Sequence, residues 1–357
     1  MAKKEKLETK TSTFIVIGMI AVALIITFFT INPFRSSAQD KQIIRVAHNQ
    51  SSDHPTHTGM LAFEEYIEDE LGDKYDVQLF PSELLGTQTN MVQLTQTGAI
   101  DITVASNSIL ETFNPQFQIF NLPYLFEDPE VYHAVMNDPE IVDPIFKDTE
   151  EAGFVTVAWL DAGTRNFYAQ SGPIEEPADL EGLKIRVQES PTNVRMMELL
   201  GGSATPMGFG DVYTSIQSGI IDGAENNELA LTENGHGDIV KDYSYTLHQM
   251  IPDEVIVSTA LLEGLPEEDA AIFEKGFEVM ESTQHEAWAL KVEEAKDQAE
   301  NEMGVNFSYP DIAPFKEAVM PIHDEILKEN PSFQKTYEQI QDKALEMSEE
   351  TNENDEN

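Results

Sequence analysis

A chain of 357 residues with no cysteine and a formal charge of −44 has no disulfide framework, no cysteine nucleophile and no lipid-anchor cysteine. Five of the 21 basic residues but only two of the 65 acids fall in the first 38 positions, which leaves 16 cations against 63 anions, or −47, for the rest. That balance excludes nucleic acid as a partner.

Residues 1–38 stand apart. Met1 to Lys10 is a basic n-region, Phe14 to Ile31 an apolar run of 18 residues, and Asn32-Pro33 breaks it. Ser36-Ser37-Ala38 resembles a small-residue cleavage site. The run is long for a secretory core and just long enough to span a bilayer. A cleaved signal peptide and a retained N-terminal membrane anchor are therefore both open. In either case the lysines stay in the cytoplasm and the body is exported, to the periplasm or the outer face of the cell membrane.

The remaining 319 residues suffice for two lobes with their own cores. Such acidity suits a high-salt medium, where the Debye length falls to ~3 Å at 1 M. The composition reads as that of a halophile or an alkaliphile. Long-range attraction cannot bring an anion to this surface, so anion recognition must come from a local, partly desolvated site.

In chain order, Ile43–Ala47 reads as a strand, Pro55–Glu70 as a helix and Tyr75–Phe80 as an alternating strand. A helix near Thr89–Thr97 leads through Gly98 into a strand over Ile100–Ala105. Asn121–Phe126 is an apolar connector. Val155–Leu160 and Arg165–Gln170 read as strands about the turn Asp161-Ala-Gly163. The last third is helical, over about Pro266–Met303, Asp311–Glu329 and Ser332–Met347, before a disordered acidic tail over 348–357. Alternating β and α elements predict parallel sheets with helices on their faces. Leu94-Thr-Gln-Thr-Gly-Ala-Ile-Asp101 and Ser215-Ile-Gln-Ser-Gly-Ile-Ile-Asp222 echo one another, which points to two related lobes. Ligands of open α/β sheets bind beyond the strands' carboxyl ends, so two facing ends make a cleft.

Past residue 38 only four arginines occur, at 45, 165, 186 and 195. Lys184-Ile-Arg-Val-Gln188 alternates, so Arg186 and Gln188 share a face opposite Ile185 and Val187. Ser190-Pro191 reads as an N-cap followed by proline at the first helical position. Arg186 thus lies near a strand's carboxyl end, where its guanidinium can hold a carboxylate bidentately. A salt bridge to one of the many acids is the competing role. Arg165 is the second candidate. Glu225, Asn226 and Asn227, at the end of a strand over Ile220–Ala224, offer groups suited to hydroxyls. Phe209 stands between glycines that let a ligand approach, or else is a core aromatic. His48-Asn-Gln-Ser-Ser-Asp-His-Pro-Thr-His57 is the one histidine cluster; it lacks a compelling third ligand for a metal, so it reads as a loop lining the cleft. No metal or cofactor is assigned. The sequence has no G-x-S-x-G elbow, H-E-x-x-H or P-loop.

The ordered set Gly-Thr-Arg165, Leu-Lys-Ile-Arg-Val187, Thr-Pro-Met-Gly-Phe209 and Ile-Asp-Gly-Ala-Glu-Asn226 resembles the solute-binding proteins of TRAP transporters, the DctP family, from about Ile43 to the C-terminal helices. The resemblance implies an α/β, two-lobed clamshell like the periplasmic binding proteins, with a long helix spanning both lobes and a cleft that closes on its ligand. It implies lobes over 39–162, completed by roughly 252–290, and over 163–251, completed by roughly 304–347. It also implies delivery of an organic acid to the separate or fused subunits of a sodium-driven membrane permease, by a protein that is by default a monomer. By that resemblance Arg186 holds the ligand carboxylate, Arg165 and Asn226 support it, Phe209 lines the pocket, and Asn49 contributes from the N-terminal lobe. Val104-Ala-Ser-Asn-Ser-Ile-Leu110 lacks the glutamate and arginine of the sialic-acid binders and leaves Ser106 as its candidate. With Gln50, His54, Gln188 and Glu225-Asn-Asn227, the pattern is closer to members that bind sugar acids such as uronates. A C4-dicarboxylate is the alternative, with Arg165 as a second cation. An exported hydrolase and a sensor ectodomain are the readings from other classes.

Overall fold

The computed structural model describes residues 41–355, with side chains to 348; the leader over 1–38 lies outside the described residues. Among the described residues eleven strands form two sheets. The first holds β1 (Gln42–Ala47), β2 (Tyr75–Phe80), β3 (Ile102–Ser106), β4 (Phe154–Leu160) and β10 (Asp253–Ser258), in the order β2-β1-β3-β10-β4. The second holds β5 (Thr164–Ala169), β6 (Lys184–Val187), β7 (Ser203–Pro206), β8 (Gly223–Asn226), β9 (Asp242–Met250) and β11 (Asn306–Ser308), in the order β11-β9-β5-β8-β6-β7. The chain thus crosses between lobes after Leu160, again after Met250, and a third time along the helix Glu267–Asn301.

The predicted echo is structural. Gly98 and Gly219 each end a helix at φ 71°, a left-handed conformation that glycine adopts without strain. The following aspartates then take the same place. The Oδ2 of Asp101 accepts the Arg45 N–H at 2.8 Å, and the Oδ2 of Asp222 accepts the Lys184 N–H at 2.8 Å. Each aspartate therefore pins the parallel neighbour of the strand it introduces, β1 beside β3 and β6 beside β8.

The sheets themselves are mixed rather than parallel. β10 runs antiparallel to β3 and β4, and β5 runs antiparallel to β8 and β9. The reason is the pair of crossings. A strand that enters a lobe from the other one arrives at its cleft edge and runs away from it, against the direction of the resident βα units.

The long helix opens on Glu267, Glu268 and Asp269, which favour the positive end of its dipole. Its 35 residues extend over about 50 Å. Phe273, Phe277 and Met280 pack with Ile44, Phe63 and Val255 of the first lobe. Beyond them Trp288 and Ala295 pack with Leu229, and Ala299 with Tyr168 and Val240, in the second. Gln284, between the two sets, donates to the Asp161 carbonyl at 2.8 Å and accepts the Asp161 N–H at 3.0 Å, fixing the first crossing to the helix. A second tie lies at Glu111, whose carboxylate accepts from Ser190 and Thr192 at the start of the helix Pro191–Leu199 and from Asn121 of the first lobe. Ser190 is that helix's N-cap, accepting from the Asn193 N–H.

Three C-terminal expectations need correction. The single helix over Asp311–Glu329 is two, Ala313–Val319 and Pro321–Glu329, because Pro321 has no N–H to continue the hydrogen-bond ladder. Completion of the second lobe by 304–347 holds only as far as Val319, which packs with Phe167, Ile185 and Met196. Ile322, Ile326, Phe333 and Ile340 instead join Phe117, Phe120 and Trp159 of the first lobe. The last helix runs over Gln334–Asp355, past the end expected at Met347, so the tail expected to be disordered over 348–357 is helical as far as Asp355.

Candidate ligand-binding site

Between the sheets lies a cavity with about 520 Å³ of space outside protein atoms, open solvent included. Arg186, Arg165, Phe209, Asn226 and Asn227 line it from the second lobe, with Gln188 beside them. Asn49, Gln50 and His54 line it from the first. Glu225 and Ser106 do not. Glu225 is fully buried behind Arg165, and Ser106 sits inside the first lobe, its N–H donated to the side chain of Gln88.

The two arginines differ in commitment. Arg165 is largely committed, with four of its five N–H groups engaged: Nε and Nη2 grip the Glu225 carboxylate, Nη2 also reaches the Glu225 carbonyl at 2.9 Å, and Nη1 donates to Asn226 Oδ1 at 3.1 Å. Burial alone pushes the Glu225 carboxyl up, but Arg165 and the neighbouring His248 outweigh it and hold the group at about 2. The pair is therefore a neutral unit. Arg186 is only 4 % exposed, and among the described residues no carboxylate pairs with it. Its Nε and Nη2 donate to the Met207 carbonyl at 3.1 and 2.9 Å, leaving Nη1 uncommitted. The competing role of a surface salt bridge is thus not what the geometry shows. Its guanidinium carbon lies 5.5 Å from the Phe209 ring centroid, near enough for a cation–π contact. Burial lowers the Arg186 pKa. A buried guanidinium without an anion is costly to maintain, and a ligand carboxylate would relieve that cost.

The polar rim is partly satisfied by the protein and partly not. Asn227 is committed, donating to the Ala162 carbonyl and accepting the Leu229 N–H. Asn226 Oδ1 accepts from Arg165 and from the Asn227 N–H, which leaves its amide N–H groups free to donate. Asn49 Oδ1 and Gln50 Oε1 are buried without a hydrogen-bond partner, as acceptors for hydroxyls would be. His54 Nδ1 accepts the Thr56 N–H at 3.1 Å, so the ring proton sits on Nε2. Burial, then His48 and Lys291, lower its pKa to about 3, and it stays a neutral donor. His48 and His57 hydrogen-bond to one another at 3.0 Å.

The sequence reading missed three features. Asp253, buried at the start of β10, lines the cavity, and so does Trp288 from the long helix. Glu83, in the loop after β2, reaches across the cleft to accept the N–H groups of Phe209 and Gly210 at 3.3 and 3.1 Å. Ser82 and Glu83 both hold positive φ, 57° and 55°, an unfavourable conformation retained where it aims the carboxylate. A Cβ at Gly208 would meet Thr87 at 2.8 Å, and one at Gly210 would meet Glu83 at 2.6 Å. These two glycines let the lobes approach. Thr89 adds a bond to Glu189 at 3.0 Å. These bonds join opposite lobes, so opening of the cleft would break them. Glu83→Ala should therefore accelerate ligand dissociation about tenfold, the worth of one to two such bonds net of hydration, with little change in association rate. Stopped-flow release rates test this; an unchanged off-rate would remove Glu83 from closure.

Residues 46–330 match the family described as DctP, bacterial extracellular solute-binding protein, family 7. A TRAP periplasmic solute binding protein of Anaerococcus prevotii, solved with D-glucuronate bound, is 62 % identical with a TM-score of 0.85, covering 86 % of this chain and 99 % of that one. The uncharacterized protein YiiZ of Salmonella typhimurium is 38 % identical over 91 % of this chain and 98 % of its own. The C4-dicarboxylate-binding periplasmic protein DctP of Rhodobacter capsulatus is 29 % identical over 80 % and 86 %.

Proposed function

We infer, for a chain that belongs to the DctP family of bacterial extracellular solute-binding proteins, the solute-binding proteins of TRAP transporters, that its cavity captures a sugar acid, a hexuronate. In this reading cleft closure traps the ligand, and the closed form carries it to a sodium-driven permease in the membrane. One observation carries the choice of ligand. Of two cavity arginines, one is ion-paired with Glu225 and the other makes no ion pair among the described residues, so the site offers one guanidinium for a single carboxylate. The unpaired acceptors of Asn49 and Gln50, with the His54 and Asn226 donors, suit a ring of hydroxyls. Glucuronate in the Anaerococcus prevotii relative is the same chemistry.

The C4-dicarboxylate reading is favoured by the Rhodobacter capsulatus relative. It needs Arg165 as a second free cation, and Arg165 is already spoken for. The family's members are binding proteins rather than enzymes. Thermal unfolding of residues 39–357 against uronates, aldonates, C4-dicarboxylates and sialic acid tests the proposal. A ligand at 100 times its Kd adds about 2.7 kcal/mol. Stabilisation by uronates is expected; stabilisation by succinate or malate alone would keep the binding role and overturn the substrate.

A further inference from the structure

We propose that the Asp253 carboxylate decides which carboxylic acids the cavity admits: it accepts a hydrogen bond from a ligand hydroxyl and turns away ligands that place a second carboxylate there. The proposal rests on the sugar-acid reading above and adds a residue that rejects as well as one that holds.

Asp253 opens β10, paired with Ser106 of β3 and Leu160 of β4. Because β10 runs against β3, its first residue lies at the cleft edge where β3 ends. The side chain lines the cavity, only 6 % exposed. The other acids around the site are held by donors. Glu225 is gripped by Arg165, Glu83 takes two backbone N–H groups, and Asp161 takes the Gly163 N–H and pairs with His133. The Asp253 carboxylate has no hydrogen-bond donor among the described residues. Arg165 exerts an electrostatic pull on it, but the guanidinium's bonds go to Glu225 and Asn226.

A buried carboxylate without donors is unfavourable, and a ligand hydroxyl supplies what it lacks. A second ligand carboxylate would instead place two anions together in a poorly solvated space, with no cation to spare once Arg186 has taken the first. Burial raises the Asp253 carboxyl to about 6, with Arg165 lowering it and Asp161 raising it; at pH 7.5 it is still mostly the anion.

The test is titration calorimetry at pH 7.5 with D-glucuronate, D-glucarate, which carries a second terminal carboxylate, and succinate, on wild type and Asp253→Asn. Asparagine keeps the shape and an acceptor oxygen while removing the charge. The wild type should bind glucuronate and discriminate against both diacids. In the variant the affinity ratio of diacid to glucuronate should rise at least tenfold. A ratio is read within one preparation and does not depend on the fraction folded; should the Asn variant not fold at all, Asp253→Ser is read the same way. Glucuronate binding with an unchanged ratio would overturn the role of Asp253 alone. Failure of the wild type to bind glucuronate, with no uronate stabilising it in thermal unfolding, would overturn the sugar-acid reading and this proposal with it.

Discussion

Arg186→Ala should lower ligand affinity by about 2–4 kcal/mol, roughly 30- to 1,000-fold, because it strands a desolvated ligand carboxylate. The size follows from how little else in the cavity can take over. Arg165 is neutralised by Glu225, and His54 is held neutral by burial. Removal of the guanidinium therefore leaves no free cation. The free protein should lose far less, since Arg186 gives it only two bonds to the Met207 carbonyl and a contact with Phe209. Arg186→Lys should recover part of the loss. An ammonium keeps the charge but cannot hold Met207 and present a planar fork to the ligand at once. Calorimetric titration with glucuronate separates the cases, and wild-type affinity in the alanine variant would sink the assignment of Arg186.

Much of this site was legible because its residues stand out against the composition. An arginine is conspicuous in a chain with four of them past residue 38, and strand alternation gave the face of Arg186 correctly. The Gly-Ile-Asp echo was legible too, since a left-handed glycine and a strand-pinning aspartate leave a fixed spacing. What the sequence hid was of the opposite kind. Asp253 and Glu83 are two acids among 65, and nothing local marks them. Asp253 becomes visible only when β9 and β10, separated by Ile251-Pro252, prove to lie in different sheets. A link that short invites reading as a hairpin or a loop. The assumption of parallel sheets hid it further, because it searches for ligand contacts at carboxyl ends, whereas β10 offers its first residue. Glu225 and Ser106 show the converse. Each has the chemistry and position of a ligand contact. Yet Glu225 is engaged by Arg165, and Ser106 lies within the first sheet. Which polar groups a protein satisfies internally is a property of packing, and a single sequence does not display it.

The pair behind the cavity carries the second large effect. Glu225→Gln should destabilise the protein by about 3–5 kcal/mol at neutral pH, as removal of one partner of a buried ion pair does. The amide can still accept from Arg165, but it leaves the guanidinium buried without a counter-charge. The loss should depend on pH in a defined direction. In the folded protein the Glu225 carboxyl sits at about 2, below its unfolded value of ~4.3. Its stabilising contribution is therefore complete above about pH 5 and fades as pH falls from there toward 2. Urea unfolding of wild type and variant should show a constant gap from pH 8 to 5 that narrows below pH 4. Arg165→Met with Glu225→Leu should destabilise less than Glu225→Gln alone, because no charge is left unpaired, yet should weaken ligand binding through loss of the Arg165 brace on Asn226. A gap that stayed constant to pH 3 would mean that Glu225 acts by shape rather than charge. The neutral Arg165–Glu225 unit, and with it the argument for a one-carboxylate cavity, would then have to be given up.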